Sequence, residues 1–246
     1  MAKLMAVTPI FAFLLVALSA CTAENTVDTD SASQTPEQTQ TLRIAAAANL
    51  SDVLPQIIDG YKTDENLAAQ DIDVTYASSG KLYAQIKAGA PYDIFLSANQ
   101  EFPAKLAAER VVNNAKNNES YTAFTYTQGQ LALYSVTKSL DKSSPAMLSD
   151  LLIKDANGKI AIANPELAPY GASAQAYLQS QNLYNTLNKQ KRLIQAENIG
   201  QAFQYAHTGS VDYGFVAQSQ IIAIKAKPEQ FITLPQTSFQ AILQDG

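Results

Sequence analysis

Short apolar runs alternate with stretches of helical periodicity along most of the chain. The runs LRIAAA at 42–47, DIDVTYA at 71–77 and DIFLSA at 93–98 have the length and composition of buried strands. Between them, apolar residues recur at the three- and four-residue spacing of one helix face. This order of strand, helix, strand, helix and strand predicts parallel pairing with right-handed crossovers.

The second half of the chain contains further strand signals. The segment TAFTYTQGQLALYSV at 122–136 predicts two strands around Gln128 and Gly129. A further helix is expected to begin at Ser173–Leu178. Three more apolar runs predict buried strands, namely GKIAIANP at 158–165, VDYGFVA at 211–217 and QFITLP at 230–235.

The strands fall into two clusters, which predicts an α/β protein of two lobes with a ligand cleft between them. The chain is expected to cross between the lobes near Tyr121–Tyr126 and again around Ala217. The predicted boundaries are 41–122 for the first lobe, 123–217 for the second, and 218–246 for a return to the first.

The N-terminal segment, residues 1–20, has the layout of an export signal. Lys3 supplies the positive charge, and Ile10–Leu18 supplies an apolar run that is shorter than the roughly 20 residues of a membrane-spanning helix. The sequence Leu-Ser-Ala-Cys that ends at Cys21 resembles a lipobox, the signal for cleavage before this cysteine and attachment of lipid to its thiol. The alternative is an ordinary secreted protein in which the cysteine has no special role.

Residues 21–40 are predicted to form a disordered tether. They are rich in Thr, Ser, Gln and acidic residues, and Val27 is the one apolar side chain larger than Ala, so the segment cannot bury enough surface to fold. Thr22 is not the aspartate associated with inner-membrane retention, so an outer-membrane anchor is permitted if the cell has two membranes. The expected location is therefore periplasmic, with a lipid anchor.

Composition and charge narrow the function classes. The 246 residues carry 17 Lys and Arg against 22 Asp and Glu, for a formal net charge of −5, which argues against nucleic-acid binding. A lone cysteine excludes a disulfide within the exported body. His207 is the only histidine and is interpreted as a partly exposed residue at a helix end. Motifs for metal-dependent hydrolysis, a nucleophilic serine or a phosphate-binding loop are absent from the sequence, so we expect neither an enzyme nor a protein with a cofactor or a directly bound metal.

Two neighbouring strands run through small polar turns into helices, at Ala47–Leu50 and at Ser78–Gly80. Asn or Ser stands where each helix begins, so free backbone N–H groups and positive helix ends converge on one place. Such an arrangement suits an anion without any fixed positive charge. Asn49 and Ser79 can equally be helix caps, and the turn alone does not decide between the two roles. Lys81 is expected to point into solvent.

The run AGAPYDIFLSANQ at 88–100 resembles the periplasmic molybdate-binding proteins of ABC importers. The segments AAAANLSDVL, YASSGKLYAQI, QGQLALYS and NPELAPYGASAQAYL extend the resemblance from Leu42 to about Gly246. The resemblance implies the two-lobed type II periplasmic binding protein fold, in agreement with the two lobes inferred from the strand pattern.

The same resemblance implies a set of ligand-binding residues. Asn49 stands where many members have a ligand serine, and Ser79 stands at their second ligand serine. Tyr170 occupies a position that contacts the anion from the other lobe, and Ile199 lies at a helix start that donates a backbone N–H. Ala217 stands where many members have a tyrosine, so Tyr170 is expected to supply the missing donor.

Taken as a whole, the resemblance implies a monomeric lipoprotein that binds molybdate or tungstate through neutral hydrogen-bond donors and delivers it to an ABC permease. A binding protein for another oxyanion, such as sulfate, thiosulfate or phosphonate, is the alternative, and a lipoprotein with a scaffold role that binds no anion is a third. The family continues after the equivalent of Gly246 with a helical segment that packs on the first lobe. We therefore expect either a truncated sequence or a first lobe with exposed apolar surface.

Overall fold

The computed structural model describes residues 41–113, 122–140 and 143–246. The expected export signal, Cys21 and the tether lie outside these residues. Within the described ranges no helix is long and apolar enough to cross a membrane.

The first lobe is built on a parallel sheet. Its central strand β1 (Leu42–Ala47) lies between β2 (Ile72–Ala77) and β3 (Ile94–Leu96), and both neighbours run parallel to it. This topology confirms the parallel pairing predicted from the sequence. The carboxyl ends of β1 and β2 therefore lie side by side, which brings the two polar turns together.

An antiparallel pair of strands extends this lobe. β4 (Thr125–Gly129) pairs with β10 (Ile242–Asp245), the last strand of the chain. The N–H of Ser97, just after β3, donates to the carbonyl of Asp245 at 2.9 Å and so joins the pair to the parallel sheet.

Helices cover both faces of β1 because its successive residues point to opposite sides. Ala46 packs in one apolar cluster with Leu54, and Ala45 packs in another with Leu82. In the described part of this lobe the helices are α1 (Leu54–Asp64), α2 (Ser79–Lys87) and α3 (Glu101–Asn113). Short 3₁₀ helices are formed by Ala48–Leu50, Pro145–Met147, Pro228–Gln230 and Gln236–Ser238.

The second lobe contains a five-stranded sheet with the order β7-β6-β8-β5-β9. Its strands are β5 (Leu131–Tyr134), β6 (Ile160–Ala163), β7 (Leu193–Ala196), β8 (Tyr213–Ala217) and β9 (Phe231–Thr233). The accompanying helices are α4 (Leu148–Lys154), α5 (Pro169–Ser180), α6 (Tyr184–Lys189), α7 (Ile199–His207) and α8 (Gln218–Ala223). Every residue of β5, β6 and β8 is buried, which explains why these strands have continuous apolar sequences.

The sheets divide the chain differently from the boundaries predicted at 122 and 217. Two strands do form in the segment 122–136, but β4 belongs with the first lobe and β5 with the second, so the chain crosses at Gln130. The segment 218–246 does not return to the first lobe as a whole, because β9 pairs antiparallel with β5. The free edge of β5 accommodates the apolar residues Ile232 and Leu234, and only β10 rejoins the first lobe.

An apolar groove of about 310 Å³ lies on the first lobe. Its lining includes Phe95, Leu106 and Phe124, and Gly246 lies at its side. Phe124 is 62% exposed.

Candidate functional site

A small cavity of about 10 Å³ lies between the two lobes and is formed by both. The first lobe contributes the turns after β1 and β2, and the second contributes the beginnings of α5 and α7. The lining residues are Ala47, Ala48, Asn49, Ala77, Ser78, Ser79, Ala98, Ala168, Pro169, Tyr170, Asn198 and Ile199. All four residues that the sequence analysis selected as ligand contacts, Asn49, Ser79, Tyr170 and Ile199, are among them.

Three helices point their N-terminal ends at this cavity. α2 begins at Ser79, α5 begins at Pro169 and α7 begins at Ile199. The first N–H groups of a helix have no carbonyl partner within it, and the helix dipole makes that end positive. Proline at the start of α5 costs no helical hydrogen bond, because its position has no intrahelical partner in any case. These helix ends therefore favour an anion in the cavity, and none of the described residues that line it carries a charge.

The hydroxyl of Ser79 is held as a donor toward the cavity. Its side chain is fully buried, and its Oγ accepts a hydrogen bond from the N–H of Ala98 at 2.9 Å. Because the oxygen is already used as an acceptor, the hydroxyl proton stays available for another group. Ala98 follows β3, so the third strand of the parallel sheet fixes this orientation.

The hydroxyl of Tyr170, like that of Ser79, accepts one hydrogen bond from the protein and keeps its proton available to donate. Its oxygen accepts from Nε2 of Gln244 at 3.1 Å, and the side chain is buried between the lobes. Burial raises the pKa of Tyr170 well above its usual value of 10.0. This phenol therefore stays protonated at any physiological pH and retains a proton to donate.

Asn49 does not cap a helix. It lies in the middle of the 3₁₀ helix Ala48–Leu50, whose N-cap is Ala47. Its Nδ2 donates to Oε1 of Gln244 at 3.0 Å. Its Oδ1 is buried and has no hydrogen-bond partner among the described residues. The helix-cap alternative for Asn49 is therefore wrong. Its side-chain amide lines the cavity and is hydrogen-bonded to Gln244.

Three other residues from the sequence analysis lie outside the lining of the cavity. Ala217 is fully buried at the end of β8, where its N–H donates to Oε1 of Gln220 at 3.0 Å. His207 ends α7 and its Nδ1 lies 2.9 Å from the hydroxyl of Tyr134, in keeping with the expected helix-end role. Lys81 does not simply point into solvent, because its Nζ lies 2.5 Å from Oε1 of Glu197 in the other lobe.

The two lobes are in direct contact around the cavity. The N–H of Gly80 in the first lobe donates to the carbonyl of Leu167 in the second at 2.9 Å. Oγ of Ser219 lies 3.3 Å from the carbonyl oxygen of Asn49. These contacts hold the two lobes together beside the cavity.

Sequence reasoning missed two residues of this site. Ser78 stands beside Ser79 in the same turn, and the pair of serines was a usable signal. Gln244 had none, because its position beside Asn49 and Tyr170 depends on β10 returning to pair with β4. Among the described residues there is no group of three or more His, Cys, Asp or Glu side chains that could hold a metal ion.

Comparison with known proteins agrees with this architecture. Residues 42–244 match the family described as "Bacterial extracellular solute-binding protein". The chain is 36% identical to the molybdate-binding protein ModA of Rhodobacter capsulatus over 70% of its length, and this match spans 64% of that relative. It is 32% identical to ModA of Azotobacter vinelandii, over 75% of this chain and 67% of the relative.

A solved structure gives the same result. The periplasmic molybdate-binding protein of Azotobacter vinelandii superposes with a TM-score of 0.71 at 32% identity, and the match covers 83% of each chain. The fold class and the family resemblance expected from the sequence are thereby confirmed. The chain belongs to the bacterial extracellular solute-binding proteins.

Proposed function

We propose that this protein captures molybdate, and also tungstate, outside the cytoplasm and delivers it to an ABC importer. The observation that carries the proposal is a cavity between the lobes that is lined by uncharged hydrogen-bonding groups and helix N-termini. The similarity to two ModA proteins supports the choice of ligand. The cavity offers no nucleophile paired with a base, so we propose binding and release of the ion without chemical conversion.

Molybdate and tungstate are tetrahedral dianions that carry no proton at neutral pH, so all of their oxygens accept hydrogen bonds. The hydroxyls of Ser79 and Tyr170 supply two donors, since each oxygen already accepts a bond from the protein. The backbone N–H of Ile199 and the amide of Asn49 supply the others. Binding joins groups from both lobes and therefore stabilises the arrangement in which the lobes are in contact.

Such a cavity discriminates against related anions. Phosphate keeps a proton near neutral pH and needs an acceptor for it, whereas the helix N-termini only donate and the hydroxyls of Ser79 and Tyr170 already accept bonds from the protein. Oδ1 of Asn49 is the acceptor that this proton would have to reach. Sulfate has the same charge but shorter bonds, so some donors would be left unpaired at a cost of about 1–3 kcal/mol each. Sulfate or thiosulfate remains the alternative ligand.

Titration calorimetry with molybdate, tungstate, sulfate and phosphate tests the proposal. We expect molybdate and tungstate to bind with affinities within about tenfold of each other, and sulfate and phosphate to bind at least about 100-fold more weakly. Tighter binding of sulfate or thiosulfate would establish the alternative. No heat and no change in melting temperature with any oxyanion would contradict both.

The proposal includes a lipid anchor at Cys21. Its support is the Leu-Ser-Ala-Cys sequence at the end of an apolar run that follows Lys3. In cells that express the full chain, we expect the protein in the membrane fraction and the Cys21→Ser variant outside it. If the variant stays with the membrane to the same extent, Cys21 is not the anchor.

A further inference from the structure

Ser78 occupies the N-cap position of α2, yet its hydroxyl does not perform the cap. Its φ of −65° and ψ of 145° are those of an ordinary N-cap residue. A serine there normally accepts from the N–H of the second or third helical residue, here Gly80 or Lys81. The side chain makes no such bond, it is 3% exposed, and its Oγ has no hydrogen-bond partner among the described residues.

The second lobe supplies the cap instead. The N–H of Gly80 is the group that Ser78 would ordinarily bind, and it donates to the carbonyl of Leu167 at 2.9 Å. The approach is so close that a Cβ at position 80 would lie 3.0 Å from this carbonyl oxygen. The N–H of Gly80 at the start of α2 is therefore hydrogen-bonded by a residue of the second lobe. The hydroxyl of Ser78 is left without a hydrogen-bond partner among the described residues.

This unused hydroxyl lines the same cavity as Ser79. A buried hydroxyl without a partner is unfavourable in an empty site, and a bound anion would relieve that cost by accepting its proton.

We propose that the hydroxyl of Ser78 donates a hydrogen bond to the bound oxyanion. This inference rests on the proposed function and adds a coupling to it. When the lobes separate, Leu167 leaves Gly80 and Ser78 returns to cap α2. When they close, Leu167 takes over the cap and Ser78 turns to the anion.

Molybdate affinity and melting temperature of the Ser78→Ala and Ser78→Gly proteins test this inference. Glycine is almost as good an N-cap as serine, so Ser78→Gly removes the hydroxyl with little effect on α2. We expect both variants to bind molybdate at least about fivefold more weakly, and Ser78→Gly to melt within about 2 °C of the unchanged protein when no anion is present. A merely structural role would lower the melting temperature of the free protein instead.

Ser144→Ala is the matched control. Ser144 is also an N-cap serine whose side chain forms no capping bond, and it begins the 3₁₀ helix Pro145–Met147 away from the cavity. The molybdate affinity of the Ser144→Ala protein should stay within about twofold of that of the unchanged protein. Affinities within twofold for both Ser78 variants would overturn the inference and leave the proposed function intact. Failure of the unchanged protein to bind any oxyanion would overturn the proposed function, and this inference with it.

Discussion

Lys81 and Glu197 form an ion pair that bridges the two lobes. Lys81 follows the first residues of α2, and Glu197 immediately precedes Asn198, the N-cap of α7. Nζ of Lys81 lies 2.5 Å from Oε1 of Glu197, and the two side chains are 48% and 42% exposed. Both helices also present their N-termini to the cavity, so the pair lies at the rim of the site and can form only when the lobes are in contact.

Replacing Lys81 by Gln should weaken molybdate binding by at most about fivefold, because a half-exposed ion pair contributes about 1 kcal/mol or less. The loss should appear mainly as faster dissociation, measured by stopped flow, and should shrink at high salt. Lys105→Gln is the control, since Lys105 pairs with Glu101 within α3 at 2.5 Å and does not bridge the lobes. Equal effects of the two substitutions would show that the bridge does not stabilise the closed form.

Ser79→Ala should reduce molybdate affinity by at least about tenfold, because it removes a donor and leaves the N–H of Ala98 without its acceptor. Calorimetry measures the change. Ser149→Ala provides the comparison, since Ser149 bonds to Gln181 in the second lobe and is remote from the cavity. Unchanged affinity in Ser79→Ala would remove Ser79 from the site.

Gln244 orients two side chains of the cavity at once, so its removal should be costly. Gln244→Leu takes away the donor to Tyr170 and the acceptor for Asn49, and we expect affinity to fall at least about tenfold. Gln244→Glu should weaken binding further. Its carboxylate would accept a hydrogen bond from the hydroxyl of Tyr170, which could then no longer donate to the anion, and its negative charge would repel the anion. Gln236→Leu, at an exposed position, should bind normally. Binding by Gln244→Glu as tight as by Gln244→Leu would argue against this orientation of Tyr170.

Gly171 is required by close packing at the beginning of α5. A Cβ there would overlap the carbonyl of Ala163 at the end of β6, with the carbonyl carbon only 2.7 Å away. Gly171→Ala should therefore lower the free energy of unfolding by about 1–3 kcal/mol and weaken binding by displacing Tyr170. Gly60→Ala in α1, where nothing lies within 4 Å of the added methyl, should instead stabilise by about 0.5–1 kcal/mol. Urea unfolding of both variants checks the contrast.

Buried tyrosines set the response to alkaline pH. Burial raises the pKa of Tyr126, Tyr170 and Tyr213 above the usual value of 10.0. The unfolded chain releases these protons near pH 10 while the folded chain holds them, so their contribution to stability is present below that pH and is lost as the pH rises toward the folded pKa values. Urea midpoints between about pH 8 and pH 11 should fall steeply, and less so in Tyr170→Phe. Molybdate affinity should stay flat from about pH 6 to pH 9, because Tyr170 keeps its proton.

Local pattern was sufficient for the parallel sheet and for the two polar turns that line the cavity. The apolar runs that became β1 and β2 end in turns whose polar residues the sheet brings side by side, so Asn49 and Ser79 could be named in advance. Tyr170 and Ile199 came from the family resemblance, and the structure places both at the same cavity. That these four residues bind an anion stays a prediction.

Features that depend on pairing between distant segments could not be predicted. The lobe boundary was wrong because β9 has the same apolar character whichever sheet it joins, and only the free edge of β5 decides the choice. Lys81 has the spacing of a solvent-facing residue, and its partner Glu197 is 116 positions away. The role of Gln244 depends likewise on a strand that returns from the end of the chain.

The absence of charge from the cavity lining has a consequence for the whole molecule. A dianion that enters such a cavity brings its full charge into a chain that already has a formal net charge of −5, and Lys81 at the rim is already paired with Glu197. Filled and empty molecules should then differ in electrophoretic mobility as well as in shape. A basic surface on a partner protein would attract the filled form more strongly than the empty form, because the filled form carries two more negative charges.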